Sequence, residues 1–318
     1  MLIYLLRRIL ISVPVLLGMT LIIFVMADAM PGDAVGAMIS PNSPASDELI
    51  AMRRGQLGLD QPLLVQYGTW LGQLLQGKLG FSFITGAAVS DMLLTRLSAT
   101  LLLMGSSLLF SVVVGILLGV VSALKRYTWI DYALTIFGFV GLSIPVFFFA
   151  LLLIFVFGLT LAWLPTSGMG VPGEPATLPS TLRHLTLPAL SLGLLRITIF
   201  MRYTRTSVLE VIHSDFVRTA RAKGVPASKV IVKHVLRNAL MPVVTIIGLS
   251  LPLLVSGAVV IEAIFQWPGT GLLFLTAVNQ RDAPVIMGFV LLSAVVVLLS
   301  NLLTDVAYSW VDPRIRYN

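Results

Sequence analysis

Residues 97–124 read LSATLLLMGSSLLFSVVVGILLGVVSAL, 28 residues without a charge between Arg96 and Lys125. A helix needs roughly 20 apolar residues to cross ~30 Å of hydrocarbon, so this run is long enough. Its apolar character is continuous rather than alternating, which excludes a membrane β-strand. Small residues recur along it at every fourth position: Ser107, Ser111, Gly115, Gly119 and Ala123. That spacing lets helix backbones approach closely and reads as a packing seam without chemistry.

Similar runs lie on both sides. Charged residues bound uncharged or nearly uncharged stretches at about 9–28, 131–160, 184–205, 238–262 and 283–305. With 57% apolar residues and a mean hydropathy of +0.98, the chain reads as an all-α integral membrane protein. We expect one domain of six transmembrane helices. The first run follows Arg7 and Arg8 and ends near the Ala-Asp-Ala of residues 27–29. It is longer than the apolar part of a usual signal peptide and is expected to be a retained helix. With the N-terminus inside, fourteen Lys and Arg fall in cytoplasmic segments and six outside. Three of those six lie in the long segment 31–95 and Arg96 borders it, which long-loop translocation tolerates. Both termini are therefore expected in the cytoplasm.

The extracytoplasmic segment 31–95 is too long for a turn. Ser46, Asp47 and Glu48 resemble a helix start, and Asp60 and Pro62 suggest a second. Leu63, Tyr67, Trp70, Leu71, Leu74 and Leu75 then share one helical face. Such a helix lies along the membrane surface, packed on the bundle or touching an extracytoplasmic partner. Gly72 to Leu79 nearly matches the phosphate-binding GxxxxGK[ST] loop, but Leu79 replaces the Mg²⁺-ligating hydroxyl and no strand precedes it.

Little else suggests chemistry. The chain has no cysteine, and His184, His213 and His234 form no metal-binding spacing. We expect His184 at an interface, Asp28 and Asp305 at packing interfaces, and the twelve methionines in the membrane core rather than on nickel. Pro145, Pro242 and Pro252 are expected to bend or break their spans, and such breaks can line a path. Arg196 is the single basic residue within a span. Such a charge marks function by default. It either meets a substrate carboxylate, pairs with a buried acid, or snorkels toward the surface near Arg202. Glu262 closes the fifth span as a gate residue or a solvated helix-end acid. No internal inverted repeat and no acid deep in a span supports an ion-coupled transporter. No clustered His, Asp or Ser set supports a membrane enzyme.

Positive charge gathers in one place. Between Arg202 and Arg237 stand eight of the 21 Lys and Arg residues. Membrane topology accounts for their sign but not for their arrangement. Ser214 or Asp215 is placed to cap a helix, Phe216 to Lys223 suit its body, and Gly224 suits its left-handed end. Pro226 stops it, and a second helix is expected from about Ser228 into the fifth span. Within a cytoplasmic loop of about 208–237, a short helix of this kind suits a partner's groove. Phe216, Val217 and Ala220 are expected to bury there, with Arg residues at the rim.

RTARAKG at 218–224 and HVLRNALMPVV at 234–244 resemble the cytoplasmic loop of ATP-binding-cassette (ABC) importer permeases. More narrowly, the chain is similar to the B-type permease of dipeptide, oligopeptide, glutathione and nickel importers. LLRRIL at the start, MPGD at 30–33, LGLDQPLLVQY at 57–67, FQWPGTGLL at 265–273 and DPRIR at 312–316 extend the likeness over nearly the whole chain. The general importer pattern begins Glu-Ala-Ala and ends Ile-x-Leu-Pro. Here Thr219, Ala220 and Arg221 precede Gly224, and His234 to Arg237 stand at the end with the proline delayed to Pro242. This departure matches the peptide branch and argues against maltose-type permeases.

The resemblance implies the type I ABC importer permease fold in a bacterial inner membrane. It implies that Asp215, Phe216, Val217, Arg218, Thr219, Ala220, Arg221, Ala222, Lys223 and Gly224 form a helix coupling to an ATPase. Arg196, Pro145, Pro252 and Glu262 are the candidates for the translocation path. The implied partners are a second related permease, two ATP-binding subunits, an extracytoplasmic binding protein and membrane lipid, with no nucleic acid. ATP and Mg²⁺ belong to the partner subunits, and this chain is expected to hold no cofactor or metal and to be non-catalytic. Peptides are the implied cargo, with nickel complexes, glutathione or oligosaccharides as alternatives.

Overall fold

The computed structural model describes residues 2–29, 52, 55, 60–171, 173–175 and 177–311. The helix start at Ser46–Glu48, MPGD and DPRIR lie outside them, as does the side chain of Asp305. Among the described residues, four helices are long and apolar enough to cross a membrane, and two bent pairs raise the number to six. The helices are α1 (Leu2–Asp28), α2 (Leu63–Leu75), α3 (Val89–Leu124), α4 (Trp129–Ser143), α5 (Val146–Leu153, continuing as a π-helix to Thr160) and α6 (Leu178–Val211). They are followed by α7 (Asp215–Ala222), α8 (Ala227–Ala239, with a π-helical middle), α9 (Met241–Ile264), α10 (Thr270–Gln280) and α11 (Ala283–Val311).

The chain forms two compact units. The first comprises residues 1–100 and 268–299 and the second 101–267 and 300–318. In the first, Tyr67 and Trp70 of α2 pack on Phe24 of α1 at 5.5 and 5.7 Å, and the Tyr67 hydroxyl meets that of Thr20 at 2.9 Å. The expected face of α2 is thus used in part, because Leu63 and Leu75 are exposed. Gly77 is left-handed and ends α2, with N–H groups of Gly77 and Lys78 donated to Leu74 and Gln73 carbonyls. The apparent phosphate loop is therefore a helix terminus. A phosphate loop instead aims free N–H groups from the start of a helix.

In the second unit α6 is central and largely buried. The small-residue seam of α3 lies against it. A Cβ on Gly115 would sit 2.6 Å from Phe200 Cβ, and one on Gly119 2.6 Å from both the Met201 carbonyl oxygen and Thr204 Cβ. The Ser111 hydroxyl donates to the Gly193 carbonyl at 3.1 Å. From α4, Gly138 and Gly141 approach Met201 and Thr198 of the same helix. Large apolar side chains face outward, among them Leu109, Leu117 and Phe139. That pattern suits hydrocarbon and partner helices rather than water.

The third expected span is not one straight rod. Ile144 is extended at φ −83°, ψ 123°, as a residue before proline prefers, and Pro145 cannot donate to the preceding turn. The two halves meet at 107°. Around Pro242 the bend between α8 and α9 is 47°. Pro252 behaves otherwise: α9 runs through it without ending. Having no N–H, Pro252 leaves the carbonyl of Gly248 unpaired within the helix, and the Thr304 hydroxyl of α11 donates to it at 3.0 Å.

Candidate functional site

Basic helix α7 forms as the sequence suggests at its end and differently at its start. Gly224 is left-handed at φ 72°. The N–H of Gly224 donates to Arg221 and that of Val225 to Ala220, a Schellman arrangement closing the helix. At the other end Ser214 is extended, but its hydroxyl turns back to the Val211 carbonyl at 2.6 Å and caps nothing. Asp215 opens the first turn and pairs with Arg218 at 2.9 Å, and Arg221 closes the last turn. Negative charge at the start and positive charge at the end complement the helix dipole.

The two faces of α7 differ sharply. Val217 and Ala220, three residues apart, are buried in an apolar cluster with Ala123 of α3, Val208 of α6 and Val230, Val235 and Ala239 of α8. Their expected burial in a partner is therefore corrected: the chain covers this face itself. Val225 and Leu209 add to the same cluster. Outward stand Phe216, 47% exposed, with Arg218, Thr219, Arg221, Ala222 and Lys223. One large apolar ring flanked by three cations is thus presented on a helix seated on the ends of α3 and α6 and along α8.

An ion pair lies beside this seat that sequence reasoning did not single out. Asp131, in the first turn of α4, accepts hydrogen bonds from Arg205 Nε at 2.9 Å and Nη2 at 2.9 Å. It also accepts the Ser122 hydroxyl and the N–H of Tyr127, the latter at 3.0 Å. The Asp131 side chain is 4% exposed and Arg205 30%. An acid opening a span just after Lys125 and Arg126 was the available signal, but nothing in the sequence names its partner 74 residues away.

The expected path residues are not gathered in one place. Arg196 lies in α6, 9% exposed, and donates to the Ser250 carbonyl of α9 at 3.2 Å. Among the described residues no carboxylate pairs with it, and it does not snorkel to the helix end. Pro145 stands at the 107° break. Pro252 sits inside α9, two residues beyond Ser250. Glu262, in the last turn of α9, is fully buried, which corrects its reading as a solvated helix-end acid. His184 is nearly buried, with Nδ1 against the Ser180 carbonyl of its own helix at 2.8 Å. Among the described residues no group of three His, Cys, Asp or Glu could hold a metal.

Two family models match the chain: "binding-protein-dependent transport system inner membrane component" over residues 115–317 and its N-terminal counterpart over 1–104. The chain is 44% identical to the oligopeptide transport system permease protein AppB of Bacillus subtilis, over 99% of each chain. It is 38% identical to the dipeptide transport system permease protein DppB of Alkalihalophilus pseudofirmus and to the glutathione transport system permease protein GsiC of Salmonella typhi, over all of each chain. Among solved structures, an inward-facing MetNI methionine ABC transporter matches with a TM-score of 0.54 at 17% identity, over 70% of this chain and 97% of that one. That likeness concerns the fold.

Proposed function

The chain belongs to the binding-protein-dependent transport system inner membrane components, and on that premise we propose that it is the permease through which an ABC importer passes peptides. It is a multi-pass inner-membrane subunit. The observation that carries the reading is α7, a closed short helix fixed on its own chain by one face and offering Phe216 and three cations on the other. Such a helix transmits a displacement as a rigid body, and a permease needs two arrangements with different contacts to a moving partner.

In this proposal α7 docks in a groove of an ATP-hydrolysing subunit in the cytoplasm, where both termini also lie. The excess of Lys and Arg in the corresponding segments supports that orientation. The assembly contains two ATP-binding subunits, a second related permease and an extracytoplasmic binding protein. ATP and Mg²⁺ are bound by the partners, and this chain performs no covalent chemistry. Peptide cargo is favoured because relatives named for oligopeptides and dipeptides align over their full lengths. Glutathione, named for a 38% identical relative, is itself a small peptide.

Reconstitution in liposomes with candidate ATPases and binding protein tests this reading. Ligand-stimulated ATP hydrolysis is measured across dipeptides, oligopeptides, glutathione, nickel complexes and oligosaccharides. Stimulation by peptides is expected. Uptake driven by an ion gradient, with no ATPase bound, would refute the importer.

Within the path, Arg196 is assigned to the passing carboxylate of the peptide. A buried guanidinium whose only hydrogen bond among the described residues is to a carbonyl keeps most donors for a charged acceptor. Arg196→Gln is expected to slow import of a peptide with a free C-terminus by about tenfold, the value of one charge-assisted hydrogen bond. The amidated peptide is expected to be little affected. An equal effect on both peptides would make Arg196 a packing residue.

A further inference from the structure

We propose that the Asp131–Arg205 pair is the tie that carries movement of α7 into the broken span α4–α5, with Asp131, Arg205 and Ser122 as positioning residues for coupling. The proposal rests on the reading of α7 as the ATPase-facing helix. Four donors converge on one carboxylate: the Ser122 hydroxyl from the last turn of α3, the Tyr127 N–H from the α3–α4 turn, and two guanidinium N–H groups of Arg205 from α6. A carboxylate has about four acceptor directions, so its capacity is used in full. The turn itself is held in an unusual backbone, with Tyr127 at φ 64°.

The position of the tie gives it meaning. Ala123 follows Ser122 directly, and Val208 lies one turn beyond Arg205. These two residues form part of the floor under Val217 and Ala220. Two of the helices that seat α7, α3 and α6, are therefore the ones clamped to the start of α4. From there α4 runs along α6 through Gly138 and Gly141 to the break at Pro145. Apolar contacts between helices tolerate sliding, whereas a bidentate pair fixes both distance and register. A partly buried ion pair contributes little net stability compared with apolar packing, but it can specify one arrangement. Coupling across such an element needs a defined register more than it needs strength.

The complete importer, with both ATPases, the second permease and the binding protein, is reconstituted in liposomes. ATP hydrolysed per peptide imported and the melting temperature of the complex are measured together. Asp131→Asn, and the double variant Asp131→Leu with Arg205→Met, are expected to raise ATP consumed per peptide by about tenfold, as coupling-network changes do elsewhere. The double variant is expected to melt near the wild-type temperature, since apolar replacement of both charges leaves neither unpaired. Ser122→Ala, which removes one of the four donors, is expected to raise the ratio by a smaller factor. An unchanged ratio in the double variant would overturn the proposal. So would failure of all three variants to assemble, because the tie would then serve folding alone. Phe216→Asp runs beside them: if it too leaves association and ratio unchanged, the fault lies with the reading of α7 and not with the tie.

Discussion

Phe216→Asp is expected to detach the ATP-hydrolysing subunits while leaving the permease folded. Phe216 is 47% exposed, in the first turn of α7 at the edge of its outward face. Exposed substitutions change stability by about 0.5 kcal/mol or less. Losing an aromatic anchor of an interface costs about 2–4 kcal/mol, roughly 30-fold or more in affinity. Co-purification of the ATPases and ATP-driven uptake should both fall by that order, with an unchanged melting temperature in detergent. The adjacent residue should behave in the opposite way. Val217 is fully buried against Val208, Val230 and Val235. Val217→Asp buries an unpaired carboxylate at a cost above about 4 kcal/mol, so the permease itself should fail to accumulate. Normal ATPase recovery and uptake with Phe216→Asp would show that the partner docks elsewhere.

Gly119→Leu is expected to abolish the folded permease. A Cβ alone would stand 2.6 Å from a backbone oxygen of α6 and from Thr204 Cβ. Neither obstacle is the free end of a flexible side chain, so α3 and α6 must separate along the seam. Overpacking typically costs about 1–3 kcal/mol, and separating two helices adds the contacts they lose. Gly105 provides the control on the same helix. Nothing lies within 4 Å of a Cβ placed there. Gly105→Ala should be neutral or stabilising by up to about 1 kcal/mol, the helix-propensity difference. Membrane expression and thermal melting in detergent compare the two, and equal stability of the variants would show that the seam does not hold the helices together.

Much of the fold could be read along the chain because its signals are local. Length without charge placed the spans, since hydrocarbon admits only helices of sufficient length. The four-residue spacing of Ser107, Ser111, Gly115 and Gly119 marked a seam because a helix puts those positions on one face. Gly224 and Pro226 marked the end of α7 because left-handed backbone and a missing N–H are properties of single residues. Pro145 announced a break for the same reason. The sequence pieces around these features were also enough to identify the family of importer permeases.

Other features depend on which surfaces meet. Periodicity puts Val217 and Ala220 on one face of α7, but only packing reveals that the chain covers that face itself and leaves Phe216 exposed. Proline at 145 and at 252 carries the same chemical deficit. At Pro145 the helix stops at a 107° bend, whereas at Pro252 it continues, with Thr304 of α11 taking the Gly248 carbonyl that the missing N–H leaves free. Asp131 and Arg205 read singly as two ordinary charges at span ends. They become one element only where α4 and α6 are brought side by side. Local steric and solvation rules therefore set the helices and their ends. The choice of partner for each buried carbonyl, charge and apolar face required the helices to be assembled, because it depends on groups distant in sequence.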